Sequence, residues 1–351
     1  MLPALAADVA AAARRAMTDA GGFELARRCI EKPELRLAVA EPLIDSLGIL
    51  DIDVRTSADS LFAGAEVCRV GGALAFPYPL AAVLARPPSS PARFLAPIDG
   101  QEAWADHADL PGGWVTVDPT GRAFTAEPAR TRRNRTLGPF VERLRLGEEV
   151  SGPGIADFVL VVSLDCCRIL GALEAAHAMA VSHVKDRHQF GQSLSEFQGV
   201  QFHVADSVVA LNGLRQLAYD TLWRASSFGP AALVDTLALR SYALEVAGTV
   251  LWISQLLHGA IGFCDEHDLS IITRTLQGSI RLPTDAARTS ALLIAAIDRY
   301  GFDGLFSPPA SDDRYGTRPD GSSIGHDGRP DGSSIGHDGR PDSASIDGAV
   351  G

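Results

Sequence analysis

The chain has 351 residues with 31 Lys+Arg against 43 Asp+Glu, a formal charge of −12. That charge opposes binding to bare nucleic acid or to an anionic membrane surface, because both carry the same sign. With 46% apolar residues it can bury a sizeable core, which excludes disorder of the whole, and its longest apolar runs, Phe158–Val162 and Ala291–Ile297, fall far short of the about 20 residues that cross a bilayer.

Residues 1–92 read as an N-terminal helical domain. Apolar residues recur at helical spacing over Leu2–Met17, Glu34–Leu47 and Ala58–Val70, with Pro, Gly and Ser between them. Asp8 interrupts the first apolar stretch and Arg14 and Arg15 follow it, the reverse of the order in a secretory leader, so none is expected. The five cysteines, Cys29, Cys68, Cys166, Cys167 and Cys264, form no C-x-x-C pair. The expectation is ordinary buried thiols in a reducing cytoplasm.

Residues 93–150 change texture and read as a reduced β middle domain. Trp114–Val117, Arg122–Thr125 and Phe140–Leu146 tend to alternate apolar and polar positions, and Asp118-Pro119-Thr120-Gly121 between the first two is a tight-turn signal. Residues 151–305 return to helical spacing. A long helix is expected from about Ala156 to Arg187, stopped by Gly191, and a second opens at Ser193, where Ser193 and Glu196 have the spacing of a capping box. Gly229-Pro230 opens a third helix that runs to about Leu257. A glycine-broken loop, His258–Phe263, leads to a fourth over Asp268–Ile280, and Pro283 begins a fifth. The class expected is mainly α with a small β middle region and a C-terminal antiparallel helical bundle.

Residues 306–351 form a separate tail, in which the eleven-residue unit RPDGSSIGHDG begins at Arg318, recurs at Arg329 and decays at Arg340. Its Gly, Pro, Asp and Ser leave almost nothing to bury against the entropy of ordering, so disorder is expected. His326 and His337 beside Asp residues offer a weak metal site at most.

Two segments invite a chemical reading. In Arg187-His188-Gln189-Phe190-Gly191 with Phe197-Gln198, an arginine and a glutamine flank the junction of two long helices. The free N–H groups opening the second helix would join Arg187 in holding a phosphate or pyrophosphate, or Arg187 merely answers the dipole of the helix it ends. In the stretch Gln255–Asp268, small residues let backbone approach a ligand beside Gln255 and His258; the alternative is a plain interhelical turn.

Together, about seventy residues apart on a helical bundle, these segments resemble the C-terminal domain of the acyl-CoA dehydrogenase family. The family pattern R-x-Q-F-G-x-x-L-x-x-F-Q is matched by Arg187, Gln189, Phe190, Gly191, Leu194, Phe197 and Gln198. A later Q-x-H-G-G-I-G-F-x-x-E-H-D-like stretch is matched by His258, Gly259, Ile261, Gly262, Phe263, Glu266, His267 and Asp268. The resemblance implies a flavoenzyme that oxidises the α,β bond of an acyl-CoA thioester, with FAD held across a subunit interface. It assigns contacts with the ADP half of FAD to Arg187, Phe190, Gln198, His258, Gly259 and Gly262, and to Gln255 less directly, because Leu256 occupies the expected place of the glutamine.

Dehydrogenation needs a carboxylate to remove the α-proton. Where the family places that base, this chain reads Gln277-Gly278-Ser279 or, on the first long helix of the bundle, Val161; Asp165 and Glu174 are the outlying candidates. Of the segments with which the family supports the flavin ring, only Trp114-Val115-Thr116 has a counterpart. Motifs that would serve a neighbour's cofactor are kept and those of a self-contained site are not. The resemblance therefore implies a shortened subunit of a heteromeric, actinobacterial-type α2β2 enzyme, acting on steroid side-chain thioesters by analogy, with the base and ring pocket on a catalytic partner. A self-sufficient homo-oligomer, or a non-enzymatic scaffold of an acyl-CoA-handling complex, are the alternatives.

Overall fold

The computed structural model describes residues 3–100, 103–129 and 137–302. The N-terminal region holds α1 (Ala4–Asp19), α2 (Phe23–Glu31), α3 (Glu41–Ser46), α4 (Ala58–Ala73) and α5 (Leu80–Leu84). α1 buries Ala6, Ala10, Ala13 and Met17, one face at helical spacing. α4 starts where the Ser57 hydroxyl accepts the Ser60 N–H at 3.1 Å. α2 escapes the sequence reading because it is short, yet its Leu25, Ala26 and Cys29 are buried, and Gly21 and Gly22 reverse the chain before it with φ of 119° and 53°. The helix expected over Glu34–Leu47 divides into a π-helical turn, Arg36–Ala40, and α3. Pro42, in the first turn of α3, has no N–H to offer the carbonyl one turn back, so the ladder cannot run through unchanged.

The middle region is a five-stranded sheet of β1 (Phe94–Pro97), β2 (Trp104–Asp106), β3 (Trp114–Val117), β4 (Ala123–Pro128) and β5 (Val141–Val150), in the order β1-β3-β4-β5-β2. β1 lies parallel to β3, and the other pairs are antiparallel. The expected turn joins β3 to β4: the Asp118 carboxylate accepts the N–H groups of Thr120 and Arg122 at 2.8 and 3.0 Å, and Gly121 takes a φ of 86°. β1 and β2 were not expected. β1 has three buried residues in succession and so shows no alternation, and β2 is only three residues long.

The bundle comprises α6 (Ile155–Asp186), a small hairpin of β6 (His188–Gln189) and β7 (Gln192–Ser193), then α7 (Gln198–Phe228), α8 (Leu233–His258), α9 (Asp268–Arg281) and α10 (Ala286–Tyr300). α6 is 32 residues, about 48 Å, and packs on α4, α7, α8, α9, β1 and β3. Its first turn is fixed by Asp157, whose carboxylate accepts the Gly154 N–H at 2.8 Å and pairs with Arg55. Gln198–Phe263 is long and apolar enough by length and composition to cross a bilayer. It is folded back on itself as α7 and α8, with Leu214, Leu222, Leu237 and Val250 in the core. One continuous core joins Met17, Phe94, Leu170 and Leu237, so helices, sheet and bundle share their interior. The expected tail, with its repeats and with His326 and His337, lies outside the described residues.

α4 and α6 meet backbone to backbone. A Cβ on Gly171 would stand 1.8 Å from the Arg69 carbonyl oxygen, and one on Gly72 would stand 1.9 Å from that of Arg168. Beside this crossing the buried Glu66 binds Arg69 at 2.6 Å and the Tyr219 hydroxyl at 2.7 Å. Arg69 also reaches Glu174 at 2.6 Å, and Glu174 accepts from Arg215 at 2.7 Å.

Gly171→Ala is expected to lower unfolding stability by about 2 kcal/mol or more, because no flexible side chain can move aside; a urea midpoint unchanged from wild type would contradict the close approach. Glu174→Gln, which leaves Arg69 and Arg215 poorly paired, is expected to cost about 1–3 kcal/mol in the same assay, discounted for partial exposure.

Candidate functional site

Arg187 caps the C-terminus of α6 and turns the chain into the β6–β7 hairpin. The two residues at the tip, Phe190 and Gly191, both have positive φ, 53° and 84°. This is the geometry that matches strand twist, and a phenylalanine adopts it only at a cost. Phe190 is 91% exposed, and its ring lies at a steep angle to that of Phe197, 6.3 Å away between centroids. The Ser193 hydroxyl donates to the Val184 and Lys185 carbonyls at the end of α6, at 2.9 and 3.1 Å. The capping box at Ser193 and Glu196 forms, with Glu196 accepting the Ser193 N–H at 3.2 Å. It opens a 3-10 turn, Leu194–Glu196, rather than α7 itself. Gln198 is therefore the exposed first residue of α7, beside N–H groups that no capping side chain takes.

The second segment begins where α8 ends. His258 is buried, Gly259 has a φ of 62°, and Gly259–Phe263 forms a 3-10 turn. A Cβ on Gly262 would meet His258 Cβ at 3.0 Å and Leu269 Cδ2 at 3.3 Å, so glycine permits the turn to close against α9. The His258 ring stacks on His183 of α6, with centroids 4.6 Å apart, and meets His267 edge-on at 4.8 Å. Burial holds the imidazoles of His258 and His183 below the usual histidine range, and for His183 the nearby His267 and Arg187 add to the effect.

These residues line a hollow of about 400 Å3 between α6, the end of α8 and the start of α9, walled by His183, Asp186, Arg187, His258, His267 and Asp268. Of the sequence-predicted residues, Arg187 and His258 come together there. Gly259 and Gly262 shape the turn that carries His258. Phe190, Gln198 and Gln255 do not line the hollow, and the Gln255 amide donates instead to the Thr273 hydroxyl at 3.4 Å. His183 was missed, although it stands one helical turn before Arg187 on the same face of α6. Arg27 of α2 was missed too. Its guanidinium donates to the Glu266 carbonyl at 2.8 Å and to Asp268 at 2.6 Å, pinning the segment that holds His267. Nothing local marked this role of Arg27, because Glu266 and Asp268 lie more than 230 residues away.

A second cavity lies between the sheet and the bundle, walled by Trp104, Asp106, Trp114, Val161, Arg168 and Ser279 among others. Its volume is about 70 Å3, room for a few water molecules. Both expected positions for a catalytic carboxylate converge on it: Val161 presents a buried apolar wall, and Gly278-Ser279 closes the opposite side. Gln277 is turned onto its own helix, donating to the Thr273 carbonyl at 3.0 Å and accepting from Arg281 at 3.0 Å. Asp165 reaches the cavity but is bound: it accepts the Ser279 hydroxyl at 2.6 Å and lies 3.8 Å from Arg168 and 3.6 Å from Arg240. Arg168 crosses the space to Asp106 at 3.0 Å, Ser279 at 2.8 Å and the Thr275 carbonyl at 3.2 Å. Burial pushes the Asp106 carboxyl up against the pull of Arg168. Trp114 stacks on Phe94 at 4.8 Å, and its indole N–H is buried with no hydrogen-bond partner among the described residues. Glu174 lies elsewhere, in the ionic network beside the α4–α6 crossing.

The family model of the acyl-CoA dehydrogenase C-terminal domain matches residues 164–279, which include both arms of the hollow. The probable acyl-CoA dehydrogenase FadE25 of Mycobacterium tuberculosis is 29% identical over 173 residues, covering 47% of this chain and 43% of that protein. The chain thus spans less than half the length of that curated relative. Among solved structures, the ChsE4–ChsE5 complex from Mycobacterium tuberculosis matches with a TM-score of 0.67 at 17% identity, over 85% of this chain and 98% of that one. The Tcur3481–Tcur3483 steroid acyl-CoA dehydrogenase matches with a TM-score of 0.69 at 19% identity, over 85% and 99%. Identities this low establish a shared fold alone. Domain model and curated relatives agree that residues 164–279 carry the C-terminal domain of the acyl-CoA dehydrogenase family.

Proposed function

We propose that the chain is a subunit of an FAD-dependent acyl-CoA dehydrogenase that completes the ADP-binding half of an FAD site on a catalytic partner chain, in an α2β2 heteromer. The contrast between the two cavities carries this reading. The hollow of about 400 Å3 suits a diphosphate: the Arg187 guanidinium offers paired donors, and imidazoles line the wall beside it. The exposed first turn of α7 nearby, with Gln198, adds free N–H groups. The cavity of about 70 Å3 does not fit a tricyclic flavin ring, since small-molecule sites run to about 300 Å3 and above.

FAD, when bound, supplies the hydride acceptor for oxidising the α,β bond of an acyl-CoA thioester. What this chain contributes is binding and orientation, by Arg187, His258 and the Gly259–Gly262 turn, with Phe190 and Gln198, outside the hollow, as further contacts. The α-proton needs a free carboxylate. Gln277 is an amide, Val161 is apolar, and Asp165 is held by Ser279 between two arginines. The ChsE4–ChsE5 structure is a complex of two named chains, one of which matches this fold, which supports a heteromer, and the steroid activity named for the Tcur3481–Tcur3483 pair supports a steroid side-chain thioester as substrate. Four of the five cysteines are buried free thiols and the fifth, Cys264, is an exposed one, in keeping with the cytoplasmic location we propose.

Expressed alone, the chain is expected to be colourless and inactive. Co-expressed with the product of the neighbouring gene, it is expected to give flavin absorbance and acyl-CoA oxidation with an artificial acceptor. Arg187→Ala in that complex is expected to weaken FAD retention about tenfold to a hundredfold, the worth of one charge-assisted phosphate contact. Yellow, active protein from this chain alone would overturn the proposal, and a colourless complex would favour a scaffold. Gln277→Glu is expected to give this chain no oxidation of its own, because the side chain faces its helix and the cavity beside Gly278 is too small for a flavin ring.

A further inference from the structure

Three imidazoles from three elements meet in the hollow: His183 from α6, His258 from the end of α8, and His267 from the N-cap of α9. His258 Nδ1 is spent on the Ser254 carbonyl at 2.7 Å, and His267 Nδ1 accepts the Leu269 N–H at 3.2 Å. Among the described residues no hydrogen bond reaches the Nε2 of either ring, or either nitrogen of His183. His258 is buried, His183 and His267 are half-buried, and all three rings line the hollow.

The charges facing this stack are few. From α6 come Asp186 and Arg187; from the start of α9 comes Asp268, which Arg27 of α2 already neutralises at 2.6 Å. Asp186 alone draws His183 toward protonation, and burial, His267 and Arg187 oppose it. Burial thus disfavours the charged form of His183 and His258 beside a permanent cation. A group with two negative charges reverses the balance, because each imidazole then gains an opposite charge at short range.

We propose that His183, His258 and His267 form a cradle that takes up a proton from solvent as an adenosine-linked diphosphate settles against Arg187, so that this half-site binds its anion together with H+. The proposal rests on the FAD reading of the preceding subsection and adds His183 and His267 to the residues that touch the ligand. Its sign follows from linkage. Histidine midpoints are raised in the bound state, so affinity grows as pH falls through them and levels off at alkaline pH. An Arg187 contact alone would be flat over the same range.

The test uses the full chain and ADP-ribose, whose diphosphate is a diester and keeps both charges between pH 5 and 9. NMR titration of the imidazole signals, assigned with His183→Gln, His258→Gln and His267→Gln, is expected to show at least one of the three midpoints rising by about one pH unit when ADP-ribose is present. ADP-ribose is expected to bind about tenfold more tightly near pH 5.5 than near pH 8. His183→Gln is expected to shrink that ratio, whereas a purely structural role would weaken binding equally at both pH values. Bound ADP-ribose with unmoved midpoints overturns this inference and leaves the proposed function standing. The same midpoints raised by coenzyme A and not by FAD would keep the proton linkage and overturn the flavin assignment. No binding of ADP-ribose or FAD, by the chain or by the co-expressed complex, overturns both.

Discussion

The contact on which the other arrangements depend is the one between the α4 and α6 backbones at Gly72 and Gly171. With no side chain between them, the two helices have a single depth at which they can lie, and Glu66, Arg69 and Glu174 lock the crossing from the side. α6 is thereby fixed along its whole length. Its middle presents Val161, Asp165 and Arg168 to the sheet, and its last turn presents His183 and Arg187 to α8 and α9. One rigid rod thus sets the geometry of both cavities, and their difference in character is a difference in what surrounds each end.

At the sheet end, oppositely charged groups satisfy one another. Arg168 spans from Asp106 to Ser279, Asp165 accepts from Ser279, and Arg240 stands behind. Such a network is costly to open, since a ligand entering it must strip apart buried ion pairs before making contacts of its own. At the hairpin end the balance is left incomplete. Arg187 is exposed, and the imidazoles keep free nitrogens. A filled network and an unfilled one on the same helix are the contrast on which the proposed division of labour between two chains rests.

How much of this was legible in the sequence follows from where each signal resides. The long bundle helices announced themselves through apolar spacing and caps, and α6 departs from its expected limits by a single residue at each end. The Ser193 box was legible too, although the turn it opens is 3-10. Arg187 and His258 were marked by motif and do meet. The strands β1 and β2 were hidden because full burial and brevity erase alternation. Asp106, Arg27 and the pairing of His183 with His258 were hidden for a different reason: each acts through a partner far along the chain, and a linear reading sees neither contact nor distance.

Phe190 bears on the life of the chain before any ligand or partner arrives. A benzyl group set in water at the tip of a hairpin, on a backbone conformation that costs energy to hold, adheres to other exposed hydrocarbon. Phe263 and Val209 are also 65% and 72% uncovered, so hydrocarbon stands in water at three places on the bundle until something rests on it.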